Sequence, residues 1–130
     1  MANVLLPNSD RNQAGGRLDA GAVLEAVDFL GIKADIEIVY TAQLRTNGKH
    51  LIAKGGKHVI RLSTYIKGDQ LGRTLWHELA HAAQSERFDN FLRWHIAYSR
   101  ESNCRGYLGN KFEVEAREAS DFNNDIRLAA

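Results

Sequence analysis

Residues 76–82 read Trp-His-Glu-Leu-Ala-His-Ala and contain His77-Glu78-x-x-His81. On a helix, residues four apart stand one turn up the same face, so the two imidazoles can grip one metal ion. Glu78 follows the first of them and can lean over the metal's open side, near a bound water. Zinc lowers the pKa of such a water from about 15.7 towards about 7, and a carboxylate beside it can take the proton. The surrounding Leu-Trp-His-Glu-Leu-Ala-His-Ala-Ala is apolar, and histidine and glutamate are costly on a buried helical face unless something satisfies them. The spacing therefore predicts a zinc site with Glu78 as general base.

A catalytic zinc takes three protein ligands and keeps one position open. The extended pattern H-E-x-x-H-x-x-G-x-x-H would need glycine at 84 and histidine at 87, where this chain has Gln84 and Arg87. His95 is a formal third ligand, but it lies among Arg93, Trp94 and Tyr98 on an expected core helix. His50 and His58 fall on expected strands and read as surface or core residues. The stronger source is the last helix, where Ala116, Ala119 and Ser120 permit close approach to another helix. Two glutamates compete there. Helical phase puts Glu115 nearer the centre of the stripe Phe112, Ala116, Ala119, Phe122 and Ile126, with Glu113 towards its edge.

The elements that must carry these residues follow from periodicity. Leu18–Leu30 reads as a first helix, with Asp19 as cap and Gly31 as stop. Alternation then predicts strands over Ile36–Tyr40, His50–Ala53 and His58–Ser63, with an Asn47-Gly48 turn and a Lys54-Gly55-Gly56-Lys57 hairpin. They are expected to form a small, mainly antiparallel three-stranded sheet. Asp69 is the expected cap of the motif helix, whose buried stripe is Leu71, Leu75, Leu79 and Ala82. Phe88–Tyr98 reads as a further helix with Phe91, Leu92, Trp94 and Ile96 inward, residues 99–110 as a loop, and Lys111–Arg127 as the last helix. Residues 1–17 read as a loose N-terminal segment.

The chain has 130 residues, 44% of them hydrophobic and 25% charged, which fits one α+β domain with a real core. A net charge of +1 gives no footprint for nucleic acid. The cluster Lys49, Lys54, Lys57 and Arg61 reads as the solvated side of the hairpin. Cys104 is the single cysteine, so no internal disulfide forms. No stretch resembles a signal peptide or approaches the roughly 20 apolar residues that span a bilayer. A soluble, intracellular protein is expected.

His77-Glu78-Leu79-Ala80-His81 followed by Glu113-Val-Glu115-Ala116-Arg117 resembles the gluzincin metallopeptidases, above all their minimal single-domain members. The resemblance implies a minimal zincin-like fold, one zinc ion per chain, and a peptide or protein substrate. It makes Glu113, rather than Glu115, the third ligand, and gives Arg117 a place where the family has Asp or Asn supporting a ligand histidine. It also implies an edge strand, placed at Val59–Ser63, that pairs with extended substrate. Tyr107, Arg100 and His95 are the candidates to assist the oxyanion or contact substrate. The implied activity is zinc-dependent peptide hydrolysis, with Glu78 activating the water. The alternative is a zincin-like module that binds zinc without catalysis and serves regulation or protein interaction. A third reading, cleavage of DNA-bound protein, lacks the C-x-x-C pair and excess positive charge it would need.

Overall fold

The computed structural model describes residues 2–8 and 11–122. The fold is α+β, with four helices and a four-stranded mixed sheet among the described residues. In chain order these are β1 (Val4–Leu5), α1 (Ala20–Leu30), β2 (Ile36–Thr41), β3 (Gly48–Ile52), β4 (His58–Ser63), α2 (Gly68–Ser85), α3 (Phe91–Gly109) and α4 (Lys111–Phe122).

The first helix forms where the periodicity puts it. Asp19 Oδ1 accepts the backbone N–H groups of Gly21 and Ala22, a cap whose loss costs about 1 kcal/mol. Val23, Ala26 and Val27 face the core, and Gly31 closes the helix.

The sheet differs from the expected three-stranded antiparallel one. Its order is β1-β2-β4-β3, with β1–β2 and β2–β4 parallel and only β3–β4 antiparallel. Consecutive β2 and β3 do not pair, because the chain runs from β2 out to β3 and returns through the hairpin to lay β4 between them. That excursion supplies the long crossover a parallel pair needs. The expected edge strand falls with it. Val59–Ser63 is an interior strand, and the edge nearest α2 is β3. Within the segment expected to be loose, Val4–Leu5 extends the sheet, and buried Asn12 bonds the carbonyl of Ile66 at 2.6 Å and the N–H of Gly16 at 2.7 Å.

One face of the sheet, with Ile36, Ile38, Ile60 and Leu62, packs onto Leu71, Leu75 and Leu79 of α2. α2 starts after Lys67, with no side-chain cap, so Asp69 sits in the first turn instead of capping it. Helix α3 runs well beyond Tyr98 and absorbs the expected loop, with a break at Gly106, whose φ of 71° and ψ of 176° leave the helical region. Only Trp94 of α3 is buried; Phe91, Leu92 and Ile96 are exposed instead of inward. α4 is described to Phe122, and the expected continuation to Arg127 lies outside the described residues. Among the described residues no helix is long and apolar enough to cross a membrane.

Candidate metal centre

Helix α2 is central, touching β3 and β4 on one side and α1 and α4 on others. A turn-by-turn series, His77, His81 and Gln84, therefore faces α4 while the leucine stripe faces the sheet. α4 crosses closely because Ala116 is fully buried and Ser120 is small; Ser120 Oγ donates to the carbonyl of Arg73 at 3.0 Å. The crossing delivers Glu113. Its Oε1 lies 2.9 Å from His77 Nε2 and 3.2 Å from His81 Nε2. His77, His81 and Glu113 each offer one ligand atom, all within 4.8 Å of one another, and this group could hold a metal ion.

The surrounding hydrogen bonds decide which atoms are free to do so. Gln84 Nε2 faces the carbonyl of Phe112 at 2.9 Å and Glu115 Oε1 at 3.1 Å, both of which only accept. Gln84 Oε1 is thus the atom 2.9 Å from His81 Nδ1, so Nδ1 carries the hydrogen. Nε2 keeps its lone pair for a metal. Tyr98 donates its hydroxyl to Glu113 Oε2, leaving Oε1 towards the histidines. Two lone-pair atoms, His81 Nε2 and Glu113 Oε1, then converge on one point that only a proton or a cation can hold together. Two imidazoles and a carboxylate are a donor set that suits zinc.

Electrostatics follow the same geometry. Burial works against a charged His81, but the bond to Glu113 and the nearby carboxylates outweigh it and raise its pKa. Burial likewise opposes ionised Glu113, yet the bonds from His77, His81 and Tyr98 hold its carboxyl well below the usual range. Burial pushes Tyr98 up, reinforced by Glu113, so its phenol remains a donor. Glu78 is buried and makes no bond to the triad; its pKa is raised by burial, against the pull of the two histidines.

Comparison with protein-family models, curated proteins and solved structures finds no match.

Glu115, the residue favoured by helical phase, is exposed and pairs with Arg87 at 2.7 Å. The buried face of α4 is set by Phe112, Glu113, Ala116 and Ser120, which turns Glu115 out of the triad. The triad and Glu78 open into a cleft of about 1080 Å³. Tyr107 and His95 line it, Tyr107 being more than half exposed and His95 stacked on Phe91, whereas Arg100 is exposed and does not line it. Arg117 bonds the carbonyl of Leu108 and lines the cleft, so the support for a ligand histidine comes from Gln84 instead.

Sequence reasoning missed Gln84, Tyr98 and Asn110. Gln84 was open to inference, because it stands three residues beyond His81 on the same helical face. Asn110-x-x-Glu113 was too, as a capping pattern. Asn110 is fully buried, accepts Phe112 N–H, and bonds Tyr98 O and Ser102 Oγ, which ties the Glu113 helix to the Tyr98 helix. Tyr98 carried no signal, since its partner is fifteen residues away.

Proposed function

We propose that this chain is a zinc-dependent peptidase of gluzincin type. The observation that carries the reading is Glu78: a buried carboxyl of raised pKa, next in sequence to His77, opening into the same cleft as three convergent metal donors. His77 and His81 would hold zinc through Nε2, and Glu113 through Oε1. A zinc ion there supplies Lewis-acid polarisation of a carbonyl and acidifies water. Glu78, opening into the same cleft as the three donors, takes a proton from the attacking water and returns it to the leaving amine. Tyr98 and Gln84 hold Glu113 and His81 in place. Tyr107, on the cleft wall, is a donor for a developing oxyanion. Substrate lies along the free edge of β3, where main-chain pairing gives affinity with little sequence preference.

A rival reading, a zinc-binding module that docks a partner without cleaving it, draws on the apolar residues Phe91, Leu92 and Ile96 that α3 leaves exposed. Glu78→Gln separates the two. Under the peptidase reading the variant keeps about one zinc per chain and loses cleavage of an unstructured protein substrate. Cleavage at the parental rate would exclude Glu78 as the base.

A further inference from the structure

Beside the triad, a chain of hydrogen bonds that peptide hydrolysis does not use runs inward from His50 on the cleft wall. His50 Nε2 lies 2.9 Å from His58 Nδ1, and His58 Nε2 lies 2.8 Å from Glu86 Oε2. Glu86 also accepts the backbone N–H groups of Lys33 and Ala34 at 2.8 and 3.0 Å. His58 is 2% exposed, so this is an interior arrangement rather than a surface pair.

With one hydrogen on each ring, counting along the chain gives its polarity. An ionised carboxylate only accepts, so His58 Nε2 carries a hydrogen. Neutral His58 then has a lone pair at Nδ1, and the hydrogen between the rings belongs to His50 Nε2. His50 Nδ1 is left as an acceptor. It has no hydrogen-bond partner among the described residues. Nor is it sealed from solvent, since Trp76 Nε1 is the one unpartnered buried side-chain atom among them.

The register says where this nitrogen can meet a ligand. Gly48, His50 and Ile52 pair with Leu62, Ile60 and His58, so all six share the core-facing side of the sheet. Gly48 abuts Glu78, and His50 lines the cleft with His77, Glu78 and His81. A peptide that extends the sheet beyond β3 puts alternate side chains on this side, the one opposite His50 about 5 Å away between Cβ atoms.

We propose that His50 selects the substrate residue beside it: Nδ1 accepts a hydrogen bond from a donor side chain such as Gln, Asn, Ser or Lys and disfavours a carboxylate. His58 and Glu86 are positioning residues that hold His50 in this form. The inference rests on the peptidase reading and names a substrate class for it.

The test uses the zinc-loaded full chain and hydroxamate-capped peptides in which Gln is replaced by Glu at each position in turn. At one position the Gln peptide should bind about three- to tenfold more tightly, the worth of one neutral hydrogen bond. His50→Leu and His58→Phe should erase that preference. Equal binding at every position, or a preference that survives His50→Leu, overturns the role of His50 and leaves the peptidase reading standing. Failure of every peptide to bind overturns the peptidase reading itself. Ring-nitrogen NMR of the parental protein covers the case of a variant that does not fold. Hydrogen on Nε2 of both rings supports the proposal, and hydrogen on His50 Nδ1 at neutral pH refutes it.

Discussion

The Glu78 side chain packs against the bare Cα of Gly48: a methyl group there would lie 3.1 Å from Glu78 Cγ and 2.6 Å from Thr74 Cγ2. Asn47-Gly48 reads as a turn in the sequence, but the glycine opens β3 and is needed for close approach between the edge strand and α2. Gly48→Ala must shift Thr74 or the strand, and it crowds the Glu78 side chain as well. Overpacking of this kind costs about 1–3 kcal/mol. Under the peptidase reading, cleavage should fall at least about tenfold as Glu78 is displaced, while zinc content stays near that of the parental protein. Steady-state kinetics beside metal analysis checks this; unaltered kinetics would mean that the strand yields without moving Glu78.

The two glutamates of α4 should separate cleanly. Glu113→Ala removes the oxygen shared by both histidines, so purified protein should carry little zinc. Glu115→Ala breaks an exposed pair with Arg87 and one bond to Gln84, and should keep its metal. Elemental analysis of both proteins prepared identically decides it, and zinc loss in Glu115→Ala alone would reverse the assignment.

Gln84 holds His81 Nδ1, and Tyr98 holds Glu113 Oε2. Substitutions of such supporting partners typically weaken metal binding about 10- to 100-fold. Gln84→Leu and Tyr98→Phe should each fall in that range in a competitive chelator titration. Affinity at the parental level in both would show that the ligands need no support.

The metal-free protein should lose stability in opposite directions from two histidines. His50 is lowered to about 3, by burial first and then by His58. A lowered folded pKa means the unfolded chain binds the proton first, so this contribution is complete above about pH 6.5 and lost as pH falls towards 3. His81 is raised, so its contribution is complete below 6.5 and lost as pH rises through the folded value. Raised Glu78 acts in the same direction as His81 from 4.5 upward. Urea unfolding in chelator should show the alkaline loss, and zinc, which requires deprotonated histidine, should abolish it. Between about pH 6.5 and 4.5, above the range where depressed Glu113 adds its own acid loss, His50→Asn should flatten the slope; an unchanged slope there would rule out His50 as its source.

By itself the sequence determined most of the elements and put His77, Glu78 and His81 on one helix, while β1 and the second half of α3 escaped it. Periodicity, caps and turn residues are local, so α1 with its Asp19 cap, the strands at Ile36 and His58, and a motif helix carrying His77, Glu78 and His81 were legible. Even the glutamate helix was legible, with Glu113 preferred through resemblance. Tertiary structure decided everything that depends on which elements meet. Strand order could not be read, because β4 inserts between β2 and β3 and makes β3 the edge beside the cleft. The choice of Glu113 over Glu115 depends on how α4 rolls against α2, which the buried Ala116 and Ser120 settle and the apolar stripe does not. The burial of α3 was misread because one aromatic cluster anchors it, with Trp94 against Phe88, Tyr98 and Phe112, and its other apolar residues stay outside. Hydrogen-bond chains such as His50–His58–Glu86 bring together residues from a hairpin and a helix end. No local pattern encodes such contacts, since hydrogen-bond geometry fixes them only after the core has closed.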